Sequence, residues 1–180
     1  MTLAAPSTPG LELMPQIEYW TTVAVVVVVG ILVLLAYRFF WSVQLRRLRD
    51  VGVTEVFLVS ESLHWGSEVQ EWMRSEGLHS VDFPLSVIVG VDARGLAFWK
   101  SASSPIVRVP MSHVSSVSAE NESMAVALTS RSPGVLQVVR LRPRRLTLWG
   151  ISAMNPVQVR DLAGRIRMIV EDRAQGGTDA

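Results

Sequence analysis

The chain of 180 residues has no cysteine, one lysine (Lys100) and three histidines. Without thiols there is no disulfide framework, no thiolate zinc site and no cysteine nucleophile. Glycine-rich phosphate loops are missing too, so the common nucleotide-binding signatures are absent. Charged residues make up 18% of the chain, fewer than the roughly one quarter usual for soluble domains. The net charge is only +1, which gives no overall basic field and no nucleic-acid signature. No lysine or arginine precedes Arg38.

What is present is apolar, at 49% of residues, and its longest run is TTVAVVVVVGILVLLAY, Thr21 to Tyr37. With Phe39, Phe40 and Trp41 the run reaches about 20 residues, enough as a helix to cross a hydrocarbon core of about 30 Å. Valine does not oppose a helix there, because in lipid the backbone must satisfy its own hydrogen bonds. Tyr19 and Trp20 at one end and Trp41 at the other are placed as interfacial anchors. Arg38 can snorkel outward. Glu12 and Glu18 precede the run, whereas Arg38, Arg46, Arg47 and Arg49 follow it. The positive-inside rule puts the N-terminus outside and the rest in the cytoplasm, at the cell membrane. A soluble core helix would be shorter and amphipathic. A signal peptide would carry a basic start and a small-residue cleavage site.

These features divide the chain into a disordered exterior tail (1–18), a transmembrane helix (19–41), a basic juxtamembrane segment (42–52), a cytoplasmic domain (53–173) and a polar tail (174–180). Trp41 to Arg49 is expected to run along the headgroups, favouring anionic lipid by about 1 kcal/mol per basic residue. Gly30 is the only glycine in the valine-rich run, so there is no GxxxG dimer signal.

Within the domain, Val53–Val59 predicts a strand, and Trp65–Arg74 a helix ended by Gly77. From Leu85 the period becomes two. Leu85–Val91 and Leu96–Lys100 flank Asp92-Ala93-Arg94-Gly95 as a hairpin. Further strands are expected at Ile106–Val109, Val114–Ala119, Met124–Thr129, Val135–Leu141 and Leu146–Trp149. Seven short strands from Leu85 onward read as an antiparallel barrel or sandwich. Asn155-Pro156 then caps a helix reaching Arg173, with Val159, Leu162, Ala163, Ile166, Ile169 and Val170 as its apolar stripe. The fold class is α+β.

SVIVGVDARGLAFWK (Ser86–Lys100) resembles the first strand–turn–strand of bacterial pleckstrin-homology-like domains. IVRVPMSHVSSVSA (Ile106–Ala119) is similar to a passage common in them, and a C-terminal amphipathic helix closes the resemblance. The likeness covers Leu85 to Arg173. It implies a seven-stranded barrel capped by the helix, a fold that binds lipids, peptides or neighbouring subunits. The late-helix tryptophan of eukaryotic members is missing, and Val53–Gly77 has no clear counterpart.

Catalytic signals are poor. His64 and Glu68 have helical metal-ligand spacing but no third ligand. Ser112-His113 lacks a partner acid, and His79 stands alone in a loop. Asn121-Glu122-Ser123 matches a glycosylation sequon that is inert in the cytoplasm. No catalytic residue, metal or cofactor is assigned. Trp65, Trp72, Trp99 and Trp149 are core candidates, with Trp72 alternatively a contact surface. The strongest polar feature is RLRPRRL. Arg140, Arg142, Arg144 and Arg145 are expected to converge at a hairpin tip, able to grip phosphates or an acidic partner. The bland alternative is a solvated strand face. The sequence therefore reads as a membrane-anchored, non-enzymatic module binding a membrane or cytoplasmic protein. The alternative is a binder of anionic lipid headgroups, and more remotely a membrane-bound hydrolase.

Overall fold

The computed structural model describes residues 13–60, 65–130, 136–147 and 150–176. Its first element, α1 (Leu13–Asp50), is one unbroken helix of 38 residues, about 57 Å long at 1.5 Å per residue. It is long and apolar enough to cross a membrane. It begins inside the segment read as a tail and continues through the segment read as juxtamembrane. Gly52, at φ +89°, turns the chain out of it.

The strands follow as β1 (Glu55–Ser60), β2 (Ser86–Asp92), β3 (Gly95–Ser101), β4 (Ser104–Pro110), β5 (Val114–Glu120), β6 (Ser123–Thr129), β7 (Leu136–Leu141), β8 (Pro143–Thr147) and β9 (Gly150–Ala153). Two shorter helices join them, α2 (Trp65–Ser75) after β1 and α3 (Pro156–Gly176) at the end. All pairings are antiparallel. One sheet has the order β4-β3-β2-β1-β8-β9 and the other β5-β6-β7.

Of the expected seven-stranded barrel or sandwich, the closed barrel and the strand count are corrected by this topology. There are nine strands among the described residues, and they form two open sheets. Val53–Gly77 is integral: β1 sits inside the larger sheet between β2 and β8, and α2 packs its Trp65, Val69, Trp72 and Met73 into the core. The predicted strand at Leu146–Trp149 shifts to β8 and β9, and Trp149 lies outside the described residues. One residue, Arg142, separates β7 from β8, so the chain leaves the small sheet and enters the large one there.

The hairpin turn forms as the sequence predicts. Asp92 Oδ1 accepts hydrogen bonds from the backbone N–H of Arg94 (2.8 Å) and Gly95 (3.2 Å). Gly95 has φ +142°, and a Cβ there would lie 2.0 Å from the Val109 carbonyl oxygen, so only glycine fits this turn. At α3, Asn155 Oδ1 accepts from Gln158 N–H and Gln158 Oε1 accepts from Asn155 N–H, a reciprocal cap.

There are two cores. The larger lies between the sheets and is closed by α2 and by Val159, Leu162, Ala163 and Ile166 of α3. Trp65 stacks on Phe98 with centroids 5.7 Å apart and planes 3° from parallel. The second core lies on the opposite face of the large sheet. There Trp41 and Leu48 of α1 meet Val53, Val56, Leu58, Ile88, Ala97 and Trp99. Leu48 is fully buried. The end of α1 is thus docked on the sheet rather than lying free along a surface.

Candidate functional site: the arginines where the sheets meet

Alternation along β7 and β8 would put the four arginines together only if both strands belonged to one sheet. They do not, and the cluster divides. Arg140 is engaged by carboxylates. Its backbone N–H donates to Glu68 Oε2 at 2.6 Å, and its guanidinium lies 3.5 Å from both Glu68 and Glu120. Arg142 is exposed and borders an open cleft lined with Glu120, Asn121 and Glu122. Neither of these two stands in a basic environment.

Arg144 and Arg145 lie on β8, where Arg144 pairs with Leu58 of β1 and Ala153 of β9. They line a groove of about 280 Å³ together with Ser42, Leu45 and Arg49 of α1. Among the described residues, no acidic side chain lines it. The Nε of Arg144 is buried and has no hydrogen-bond partner among the described residues. The structure therefore exchanges Arg140 and Arg142 for Arg49, a residue read from sequence as an interfacial anchor only. The signal was present: Ser42, Leu45 and Arg49 stand at i, i+3 and i+7 of a helix. It is usable only once α1 is known to continue past Trp41 and dock.

The other anchor residues separate similarly. Tyr19 and Trp20 are exposed, with rings 5.6 Å apart. Arg46, Arg47 and Arg49 are exposed and Arg38 is half-buried. Trp41 is only 6% exposed; its ring packs edge-on to Tyr37 and Phe40 and against the sheet.

The residues weighed for catalysis are used structurally. His64 lies outside the described residues, and its proposed companion Glu68 holds Arg140. His113 Nδ1 is 3.0 Å from the Thr129 carbonyl and 3.7 Å from Glu76. His79 is exposed. Trp72 is buried, not a contact surface, and its indole N–H donates to Thr129 O at 3.2 Å. Among the described residues no three His, Asp or Glu side chains gather as metal ligands. Arg165 donates to Glu55, with Nε 2.5 Å from Oε1. That hydrogen bond holds the guanidinium pKa above its usual value, against a smaller opposing effect of burial.

No protein-family model matches the chain, and no curated protein sequence matches it.

Proposed function

We propose that this protein is a membrane-anchored interaction module without catalytic chemistry of its own. It holds a pleckstrin-homology-like domain at the cytoplasmic face of the cell membrane, where a protein partner binds. One observation carries the reading: α1 continues unbroken from its exposed apolar stretch into the second core, through Trp41 and Leu48. A cleavable leader would be separate from the fold, whereas this helix is part of it. The domain is then a rigid extension of the anchor and keeps a fixed attitude to the bilayer. Four arginines after the apolar run and none before it support a cytoplasmic domain.

The family reading draws support from strand order. That support is the β2-β3-β4 meander, the β5-β6-β7 meander and a C-terminal helix lying on β5 and β6. On this reading β1 and the β8-β9 hairpin enlarge the first sheet, and α2 is an added helix packed beside β7. The module reading draws support from how Asp92, Glu68, Glu120 and Glu55 are spent, each on an arginine of the fold. Open sheet edges at β4 and β9 leave backbone groups that a partner strand can meet.

The test is affinity capture of the full chain from membranes in mild detergent after brief crosslinking. A stoichiometric membrane or cytoplasmic protein is expected, and recovery of lipid alone overturns the partner reading. Orientation is tested separately, because the native chain has no cysteine to interfere. A Ser118→Cys variant should resist a membrane-impermeant maleimide in intact cells and react after lysis; labelling of intact cells reverses the topology.

A further inference from the structure

We propose that the groove between α1 and β8 is a binding site for the phosphate-bearing headgroup of an anionic lipid. The inference rests on the membrane anchorage proposed above and is independent of the protein partner.

Charge is the first observation. Arg49, Arg144 and Arg145 line one groove, and none forms an ion pair with a described residue. Elsewhere in the domain Arg108, Arg140 and Arg165 each hold a carboxylate. Like charges gathered without a counter-ion repel one another, which a bound anion relieves. The buried and unpartnered Nε of Arg144 makes the same demand in hydrogen-bond terms. A guanidinium N–H taken from water without an acceptor is costly. A phosphate oxygen is the acceptor that its planar fork suits best.

Position is the second. Counting 1.5 Å per residue, Ser42 to Arg49 lies about 2 to 12 Å beyond Trp41, where the apolar run ends. The headgroup layer of one leaflet is about 5 to 8 Å deep, from a 30 Å core in a 40–45 Å bilayer. The Ser42 and Leu45 end of the groove thus lies at the depth of the headgroup phosphates, with Arg49 about one helical turn beyond it. The domain's attitude agrees. Gln44 Oε1 accepts from Ala102 N–H in the β3–β4 turn, while Thr54 N–H donates to Val91 O beside the β2–β3 turn. So α1 runs along the strands, and the ends at Ser60, Ser86 and Ser101 face the bilayer. Arg144, opposite Leu58, sits two residues in from that end. Leu45, Leu146 and Met154 give the groove an apolar wall, suited to the glycerol region of a lipid.

The test uses the full chain in dodecyl maltoside micelles doped with dioleoyl phosphatidylglycerol, with dioleoyl phosphatidylcholine or inorganic phosphate as comparators. Thermal unfolding and native mass spectrometry report binding. Phosphatidylglycerol should raise Tm and stay bound, and added salt should weaken it. At about 1 kcal/mol per basic residue near a membrane surface, Arg49→Gln should cost about fivefold in affinity and Arg144→Gln with Arg145→Gln about 25-fold. Arg140→Gln should leave binding unchanged. If the double variant unfolds in phosphatidylcholine micelles, Arg49→Gln, exposed at the end of α1, carries the test alone. Undiminished phosphatidylglycerol binding by Arg49→Gln overturns the site. An equal Tm rise with inorganic phosphate overturns the lipid as its source. Loss of the protein partner with lipid binding intact would instead sink the module reading and leave this one standing.

Discussion

The two halves of α1 obey opposite rules. From Tyr19 to Phe40 nearly every side chain is apolar, and almost all are exposed. From Trp41 to Asp50 the helix carries three arginines and an aspartate, yet it buries Trp41 and Leu48 in the domain. Hydrophobicity therefore does not say what is buried in protein. The first half has the all-round apolar surface that a lipid solvent requires. The second has a narrow stripe, Trp41, Leu45 and Leu48 at i, i+4 and i+7, which a sheet face requires. The stripe answers a need in the sheet: β2 and β3 are buried along most of their length on both faces. Antiparallel sheets commonly leave one face wet, but the central strands of this one are covered on both.

That difference can be broken from either side. The largest effect is expected in the main core. Trp72→Ala removes a 1% exposed side chain and its hydrogen bond to Thr129, costing about 3–5 kcal/mol, and should unfold both sheets together in a thermal melt followed by circular dichroism. Leu48→Ala empties a fully buried site in the second core, costing about 2–4 kcal/mol. Its signature should be local, with faster hydrogen exchange across 41–53 and β5–β7 still protected. Simultaneous loss of protection in β5–β7 would mean that the two cores form one cooperative unit. Gly90→Ala probes the same seam with a smaller perturbation. A Cβ there would lie 2.8 Å from Val53 Cγ1 and 3.2 Å from Trp99 Nε1, so a cost of about 1–3 kcal/mol by overpacking is expected. An unchanged Tm would show that Val53 yields freely.

How much of this was legible follows from the same contrast. The helix at Trp65–Arg74, the hairpin turn at Asp92–Gly95 and the cap at Asn155 were readable because local periodicity and turn chemistry set them. The sheet order was not, because β1 pairs with β8 across more than 80 residues and local pattern carries no such information. A hint existed in VFLV and VIVGV, uninterrupted apolar runs that a one-faced strand does not need. They implied a second cover, and the stripe ending α1 was the available one. The arginine site was half legible. Arg144 and Arg145 stay together, but inside β8 rather than at a hairpin tip; the passage from one sheet to the other at Arg142 separates them from Arg140, and Arg49 lies beside them only through docking.

The smallest effect is expected where α3 meets the start of β1, just beyond the seam. Arg165 and Glu55 are bonded at 2.5 Å, with side chains 51% and 19% exposed. The pKa of Arg165 is raised by that bond. A raised cationic pKa contributes stability that is fully present below the unfolded value and lost only as pH rises through the folded one. Both values lie far above neutrality, so Arg165 should contribute no pH dependence between pH 5 and 9. Solvent screening keeps such a pair below about 1 kcal/mol. Glu55→Gln should accordingly lower Tm by only a few degrees, and added salt should narrow the gap to the native protein. A loss above about 2 kcal/mol would contradict this and make the pair a structural strut between α3 and the strand that follows α1. The expected small loss instead leaves α3 held by Val159, Leu162, Ala163 and Ile166, as α1 is held by Trp41 and Leu48. Both helices are then fixed chiefly by apolar stripes, and the ion pair adds little to either.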